Sequence, residues 1–396
     1  MGRTIFLVDM NAFFISCEAS RNPELKKVPA AVAGDPKNRS GIILAANYEA
    51  RKFKVKTTMV IHEAKKLCPE LVLVPPDHKF YSKKSNEVMS ILQRYTPVIQ
   101  QNSIDEAWLD MTGCETLFGK PVEAAERIMK EIMNELDLWC SVGISYNKFL
   151  AKMASEIKKP LGITEVWEKH LKGKIWPLPV RDMYGIGKRS AERLTELAIY
   201  TIGDIANNSE AFLKSEFGKF GSEMYRLANG IDDSPVVPGT YGDCKSISRS
   251  TTLREDITDI ETAKSVLLKL AEDVGEDARK YDYKGKTVSI EIKYSDFKTI
   301  TRQKSIQATF LTKDIYKTGV ELLTENWNTQ KPVRLLGIGL GKFDANDNLQ
   351  VSIFDTMEGA DKEIGNSLKE EKLEKAIDEL RQKYGKGKIK RAKNLE

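Results

Sequence analysis

The chain has 396 residues, 41% hydrophobic and 30% charged, which is too long for one core and reads as two to four soluble globular domains. No apolar run is long enough to span a bilayer, and the N-terminus lacks the layout of a signal peptide. A net charge of +5 permits a polyanionic partner without establishing one.

In chain order, Thr4–Val8 is a continuous apolar run of strand length that ends in Asp9. A carboxylate at the exit of a buried strand is well placed for metal chemistry. Ala12-Phe13-Phe14-Ile15 should begin a helix, and its two successive aromatics point in different directions. One can then enter the core while the other faces a site, core packing of both being the ordinary alternative. Pro29–Ala33 and Gly41–Ala45 read as strands, with Gly34-Asp35-Pro36 as a turn. On a helix from Asn47 to Lys52, Tyr48, Arg51 and Lys52 share one side. A hydroxyl beside a guanidinium suits phosphate oxygens, although a solvated basic face fits the same spacing.

Ser103-Ile104-Asp105-Glu106 lies between Pro97-Val98-Ile99 and Ala107-Trp108-Leu109, the pattern of a short strand or hairpin carrying adjacent acids. Clustered carboxylates call for a divalent cation when half-buried; a solvated acidic turn is the plain alternative. Neighbours on a regular strand face opposite ways, so these two acids share one centre only if the backbone bends there. Val122–Leu138 has helix periodicity, Ser141–Ser145 is a short strand, and Asn147–Ile157 is a helix. The basic residues Lys148, Lys152, Lys158 and Lys159 gather towards its C-terminal half, and Pro160-Leu161-Gly162 ends it. This order suits an α/β or α+β catalytic domain. Five scattered cysteines (Cys17, Cys68, Cys114, Cys140, Cys244) without C-x-x-C spacing argue for a reducing, cytoplasmic setting and against structural zinc. His62, His78 and His170 are too dispersed for a histidine metal site.

Trp176–Val180 reads as a linker. Gly185-Ile186-Gly187-Lys188-Arg189-Ser190, followed by Leu194, Leu197 and Ile199, fits a helix–hairpin–helix. Its glycine turn would expose backbone N–H groups to a nucleic-acid phosphate. A P-loop is excluded because G-x-x-x-x-G-K-[ST] and a preceding strand are both missing. Pro235–Gly239 reads as a hinge-like linker. Beyond it, strands at Lys245–Leu253, Thr287–Tyr294, Lys304–Thr309 and Val333–Leu340 and helices at Ile260–Lys280 and Lys313–Trp327 make an α+β domain, both helices on one face. Lys245, Arg249, Lys293 and Lys298 are candidates to present cations to a duplex backbone, provided charge is segregated by face. The tail has a capping box at Ser367 and Glu370, a helical stripe of Leu373, Ile377, Leu380 and Tyr384, and a stop at Gly385. Arg381–Lys393 carries bases and no acids, which suits DNA, another acidic surface or a solvated tail.

Four stretches in this order resemble the Y-family DNA polymerases: Leu7-Val8-Asp9-Met10-Asn11-Ala12-Phe13-Phe14, Ala46-Asn47-Tyr48-Glu49-Ala50-Arg51-Lys52-Phe53, Ser103-Ile104-Asp105-Glu106, and Gly143-Ile144-Ser145 leading to Lys158-Lys159-Pro160-Leu161-Gly162. The similarity is to the bacterial polymerase IV-like branch and runs over residues 1–355. It implies a multidomain α+β, right-hand architecture. A mixed-sheet palm is expected over residues 1–10 and 77–166, small fingers over 11–76, and an all-α helix–hairpin–helix thumb over 167–234. A linker over 235–244 precedes an α+β little finger over 245–345, and 346–396 would hold a clamp-binding peptide and a basic helical tail.

The resemblance further implies low-fidelity, template-directed addition of deoxynucleotides to a primer 3′-hydroxyl, past damaged bases, by a cytoplasmic monomer without a membrane partner. Its partners would be primer–template DNA, an incoming dNTP and a sliding clamp. Asp9, Asp105 and Glu106 match catalytic, metal-binding acids, and Met10 matches a position whose main-chain carbonyl completes one site. Two Mg²⁺ ions, replaceable by Mn²⁺, are the expected cofactors, and acidic oxygens suit them. Phe13, Phe14, Tyr48, Arg51 and Lys159 match nucleotide-binding positions, with Phe14 as the steric gate beneath the sugar. Gly185, Gly187, Lys188, Lys245, Arg249 and Lys293 are the DNA-binding candidates. Asn11 stands where many relatives have an acid, and Ala45 where several have Ser or Thr. Gln350-Val351-Ser352-Ile353-Phe354 is similar to the Q-L-S-L-F clamp-binding peptide, in which Gln350, Ser352, Ile353 and Phe354 would be the binding residues, Gln350 supplying hydrogen bonds and Ile353 and Phe354 filling an apolar groove; a short strand is the plain alternative. A two-metal, structure-specific nuclease and a non-catalytic DNA- or clamp-binding relative are the rival readings.

Overall fold

The computed structural model of the chain describes residues 2–35, 41–240, 244–343, 360–385 and 388, with 360–368 described by their backbone alone. Contacts divide it into two compact units, one reaching Gly242 (residues 35–40 apart) and one starting at Asp243. Among the described residues no helix is long and apolar enough to cross a membrane.

The first unit opens with β1 (Ile5–Met10) and α1 (Phe13–Arg21), then β2 (Ala30–Ala33), β3 (Ile43–Ala46), α2 (Tyr48–Lys52), α3 (Ile61–Leu67) and β4 (Val72–Val74). It continues through α4 (His78–Leu92), β5 (Ile99–Gln101), β6 (Glu106–Asp110), α5 (Glu115–Phe118), α6 (Pro121–Leu136), β7 (Cys140–Ser145), α7 (Lys148–Ile157) and β8 (Ile163–Glu165). Four helices follow: α8 (Lys188–Glu196), α9 (Ile202–Ala206), α10 (Glu210–Phe217) and α11 (Lys219–Ala228); β9 (Gly239–Thr240) closes the unit.

The main sheet has the order β8-β7-β1-β6-β5-β9, with β1 central and antiparallel to β6 and β7. Both of its faces are covered, so β1 is apolar without alternation apart from Asp9. Phe6, Val8 and Met10 join one core with residues of α4 and α6, while Ile5 and Leu7 pack with Trp108 and with Ala151 of α7. By strand alternation Asp9 therefore lies on the α7 side, and its register partner Glu106 lies on the same side. Two features let α7 come close. The Asn147 side chain caps its N-terminus by accepting from Leu150 N–H at 2.8 Å, and Gly143 offers no Cβ where the Ala151 carbonyl and Ser155 N–H pass. A smaller sheet, β3-β2-β4, carries α2 and α3 around its own core of Ala31, Ile43, Ala46, Ala50 and Ala64.

Two expected linkers are structured. Trp176–Val180 belongs to the core of α8–α11: the Trp176 indole donates to the Ala228 carbonyl at 3.0 Å, Pro179 bridges Thr201, and Val180 is buried. Its prolines suggest a spacer, but its apolar side chains find cover. Pro235–Gly239 is likewise docked, since Val236 is buried with Ile5 and Leu7, and β9 pairs in parallel with β5.

The second unit contains β10 (Ser246–Ile257), α12 (Ile260–Lys280), β11 (Gly285–Tyr294), β12 (Thr299–Thr309), α13 (Thr312–Asn326) and β13 (Val333–Phe343). They form an antiparallel sheet of order β10-β13-β11-β12. As expected, both helices cover one face, over Val288, Ile290, Ile292, Leu336, Ile338 and Leu340.

The last helix, α14 (Ala360–Tyr384), begins before Ser367, so the expected capping box lies inside the helix rather than at its start. Nor does its apolar stripe dock. Leu373 is 60% and Leu380 44% exposed, whereas Glu374 and Arg381 are buried. Arg279 of α12 grips Asp378 through two nitrogens (2.5 and 3.0 Å) and reaches Glu374 at 3.4 Å. Lys284–Glu371 (2.8 Å), Lys313–Glu370 (2.6 Å) and Arg381–Glu272 (3.2 Å) extend the row. The helix is held by charge because the surface it meets is charged.

Candidate active site

Asp9 and Glu106 face each other across β1 and β6 and are only 7% and 8% exposed. Lys152, one turn along α7, places its ammonium between them, 2.9 Å from Asp9 Oδ2 and 2.6 Å from Glu106 Oε2. Lys159 donates to the other oxygen of Asp9 at 2.7 Å, and both lysines also reach Glu156. Burial alone would raise the Asp9 carboxyl, but Lys159 and Lys152 outweigh it and hold Asp9 below the usual carboxylate range. Burial pushes Glu106 up despite Lys152. Lys152, paired with both acids, is held well above an ordinary lysine, the pairing overcoming its own desolvation.

Asp105 occupies the bend that the sequence requires. The N–H groups of Asn102 and Ser103 both donate to the Glu106 carbonyl, at 3.0 and 3.3 Å, closing a tight turn just before β6. The Asp105 carbonyl accepts from Met10 N–H at 2.9 Å, and the Ser103 hydroxyl holds the Asp105 carboxylate. Asp105 and Glu106 thereby line one cavity of about 410 Å³ together with Asp9. With Lys152 and Ser103 engaging them, the three acids do not converge as a ready-made ligand cluster among the described residues. Met10 also borders the cavity, though its side chain belongs to the core.

The same cavity is lined by α2. Asn47 fixes its start, accepting from Ala50 N–H at 2.9 Å while donating to the Leu25 and Val28 carbonyls. Tyr48 and Arg51 line the cavity; Lys52 pairs with Glu49 outside it. The Arg51 guanidinium lies 4.9 Å over the Tyr48 ring, and its Nε donates to the Ala46 carbonyl at 2.9 Å. The Tyr48 hydroxyl is buried with no hydrogen-bond partner among the described residues. A buried hydroxyl left this way is costly unless a ligand supplies the partner.

Both aromatics of α1 reach the cavity, to different degrees of burial. Phe13 is buried in the core while still contributing to the cavity wall, and Phe14 borders the cavity more openly, stacked on Tyr81. Asn11, the departure from an acid, is structural here. Its side chain bonds Ser141 and accepts from Leu161 N–H at 2.9 Å, tying down the turn that follows Lys159. Ala45 borders the cavity and brings no hydroxyl to it.

Comparison with known proteins decides the family. The impB/mucB/samB family matches residues 8–156, its C-terminal domain residues 244–353, and the IMS family HHH motif residues 168–199. The DNA polymerase IV of Clostridium kluyveri is 59% identical over 97% of this chain and 96% of that protein. The DNA polymerase IV of Alkaliphilus oremlandii is 53% identical over 99% of each. A solved Y-family DNA polymerase chimera of Dbh and Dpo4 superposes with a TM-score of 0.78 at 28% identity, covering 87% of this chain and 100% of that one. The chain belongs to the Y-family of DNA polymerases.

For a Y-family member the duplex-facing candidates matter as much as the acids. Gly185 has a φ of +94°, a conformation that favours glycine, and Gly187 caps the nine-residue helix α8 with open space where a Cβ would stand. Lys188 is exposed beside Glu192. In the second unit, the sheet does not present the segregation of cations by face that these candidates would require. Arg249 shares register with Ile338 and Ile290, which puts it on the helix-covered side, where it pairs with Asp277. Lys293 is on the opposite side with Glu291, and Lys245 is exposed just before β10. That opposite face is built mainly of hydroxyls and glycines: Ser246, Ser248 and Ser250 beside Gly341, Gly339 and Gly337, then Thr287 and Ser289. Sequence reasoning missed it by looking for charge; the period-two run of Ser and Gly was the available signal. Gln350, Ser352, Ile353 and Phe354 lie outside the described residues.

Proposed function

We propose that this chain is a template-directed DNA polymerase that adds deoxynucleotides to a primer 3′-hydroxyl and continues past damaged template bases. One observation carries the reading: three acids on β1 and at the start of β6 share a cavity with Tyr48, Arg51 and Lys159, groups suited to a triphosphate. The oxygen-rich donor set fits Mg²⁺, or Mn²⁺ in its place, and the unpartnered Tyr48 hydroxyl fits a phosphate oxygen. Two such ions, when bound, supply Lewis-acid activation of the attacking hydroxyl and charge stabilisation of the leaving pyrophosphate.

In this reading Asp9, Asp105 and Glu106, with the Met10 carbonyl, hold the metal. Tyr48, Arg51 and Lys159 hold and orient the phosphates, where positioning and electrostatics dominate the chemistry. Phe13 and Phe14, both in the cavity wall, would meet the nucleotide, with Phe14 excluding a ribose 2′-hydroxyl. Residues 1–10 and 77–166 serve as palm, 11–76 as fingers, 167–234 as thumb and 245–345 as little finger. The Gly185–Lys188 turn would take a duplex phosphate on its N–H groups. Gln350–Phe354 would dock on a sliding clamp. The protein works as a cytoplasmic monomer.

The test is primer extension with each dNTP and Mg²⁺, run beside an Asp105→Ala/Glu106→Ala variant. Extension by the intact protein alone is expected, and no extension by it overturns the proposal. Primer shortening without nucleotides would identify a nuclease; shifted DNA with unchanged primer length would identify a binding protein.

A further inference from the structure

No sequence motif singles out Lys152, yet its ammonium sits between the two carboxylates that face each other across β1 and β6. Asp9 and Glu106 are almost fully buried, and carboxylates so placed repel unless a cation lies between them. A metal ion held by these acids would need the same oxygens that Lys152 occupies.

We propose that Lys152 is a built-in competitor for the metal, an ammonium that clasps Asp9 and Glu106 until a divalent cation displaces it. This rests on the reading of these acids as metal ligands. The helix is seated closely on β7: the Asn147 side chain caps its start, and the Ala151 carbonyl and Ser155 N–H stand where a Cβ on Gly143 would be. The side chain is the part free to swing, and it has somewhere to go. Glu156, one turn on and half exposed, already accepts from Lys152 at 3.0 Å and from Lys159 at 2.8 Å. An arriving triphosphate offers both lysines a second set of anionic partners. Releasing Lys152 to those partners frees the carboxylates, so nucleotide and metal promote one another's binding.

Direct Mn²⁺ binding, followed by electron paramagnetic resonance on the full chain without DNA, tests the idea. Lys152→Met should bind Mn²⁺ about tenfold more tightly than the wild type, because a competing cation is gone. Lys152→Arg, which keeps the cation, should stay near the wild type. In EDTA, Lys152→Met should melt below the wild type, and added Mg²⁺ should close that gap; Lys152→Gln is the second variant should Lys152→Met fold poorly. Unchanged or weaker Mn²⁺ binding by the neutral variants overturns the proposal, as does a melting deficit of the same size in EDTA and in Mg²⁺. Asp9→Asn separates the two readings. If it loses Mn²⁺ binding while Lys152→Met matches the wild type, the role of Lys152 alone fails. If it binds as the wild type does, the acids are not the metal site and both fail together.

Discussion

The ring of Phe14 lies flat on that of Tyr81, with centroids 4.5 Å apart and planes 15° apart. Tyr81 is completely buried, and its hydroxyl donates to Glu18 at 2.7 Å, a carboxylate that Arg21 grips through two nitrogens at 2.9 Å. The ring that borders the cavity is thus backed by a buried, hydrogen-bonded one, as the proposed gate role of Phe14 requires.

Replacing Phe14 should therefore relax sugar selection. Phe14→Ala is expected to raise ribonucleotide use relative to deoxynucleotide use by about 10- to 200-fold, the range of one steric contact in a pocket. Tyr81→Leu, which leaves Phe14 in place but removes its backing, should produce a smaller rise in the same direction. Single-nucleotide incorporation with matched rNTP and dNTP measures both. An unchanged ratio in Phe14→Ala removes the gate role.

Gly143 is where β7 lets α7 approach. A Cβ built there would stand 1.9 Å from the Ala151 carbonyl oxygen and 2.4 Å from Ser155 N. Gly143→Ala must push the helix off the sheet, and overpacking of this kind costs about 1–3 kcal/mol. Because α7 carries Lys152, extension activity should fall further than stability alone would explain. Thermal melting and primer extension on the same preparation check this, and a variant that matches the wild type in both would show that the sheet adjusts.

Arg279 makes a different kind of claim, on the tail. Its side chain is 2% exposed and serves Asp378, Glu374 and the Phe310 carbonyl. Removing one partner of a buried ion pair leaves uncompensated charge and costs about 3–5 kcal/mol. Arg279→Ala should lower the urea midpoint and open α14 to limited proteolysis. A tail as resistant as the wild type's would mean that the charged row does not hold it.

Local pattern made much of this legible. The apolar run before Asp9, the α2 face with Tyr48 and Arg51, and the bend required between Asp105 and Glu106 all follow from strand and helix periodicity, and the structure places them around one cavity. Partner surfaces were not legible. Four lysines in 148–159 look alike in sequence, and only the packing of α7 on β7 decides that Lys152 turns inward. The stripe of Leu373, Ile377, Leu380 and Tyr384 has the period of a docking face, but the surface opposite is lined by Arg279, Lys284 and Lys313, so the acidic side of α14 docks instead. Trp176–Val180 has the prolines of a spacer, and its burial depends on Ala228 and Thr201, distant in the chain.

Cys17 gives a prediction in pH. Its side chain is fully buried on α1, and burial pushes the thiol up to about 12, with neighbouring Glu18 acting in the same direction and Lys84 against it. In the unfolded chain the thiol would ionise near its ordinary value of 9.0. Between these two values the unfolded state has released a proton that the folded state keeps, so stability falls as pH rises through that window and is unaffected below it. The slope reaches about 1.4 kcal/mol per pH unit for one such group. Urea unfolding at a series of alkaline pH values, wild type against Cys17→Ala, isolates the contribution. The variant starts less stable because of the atoms it loses, and the gap should narrow as pH rises above about 9. Curves that stay parallel across that range would mean that Cys17 ionises in the folded protein as readily as in the unfolded one.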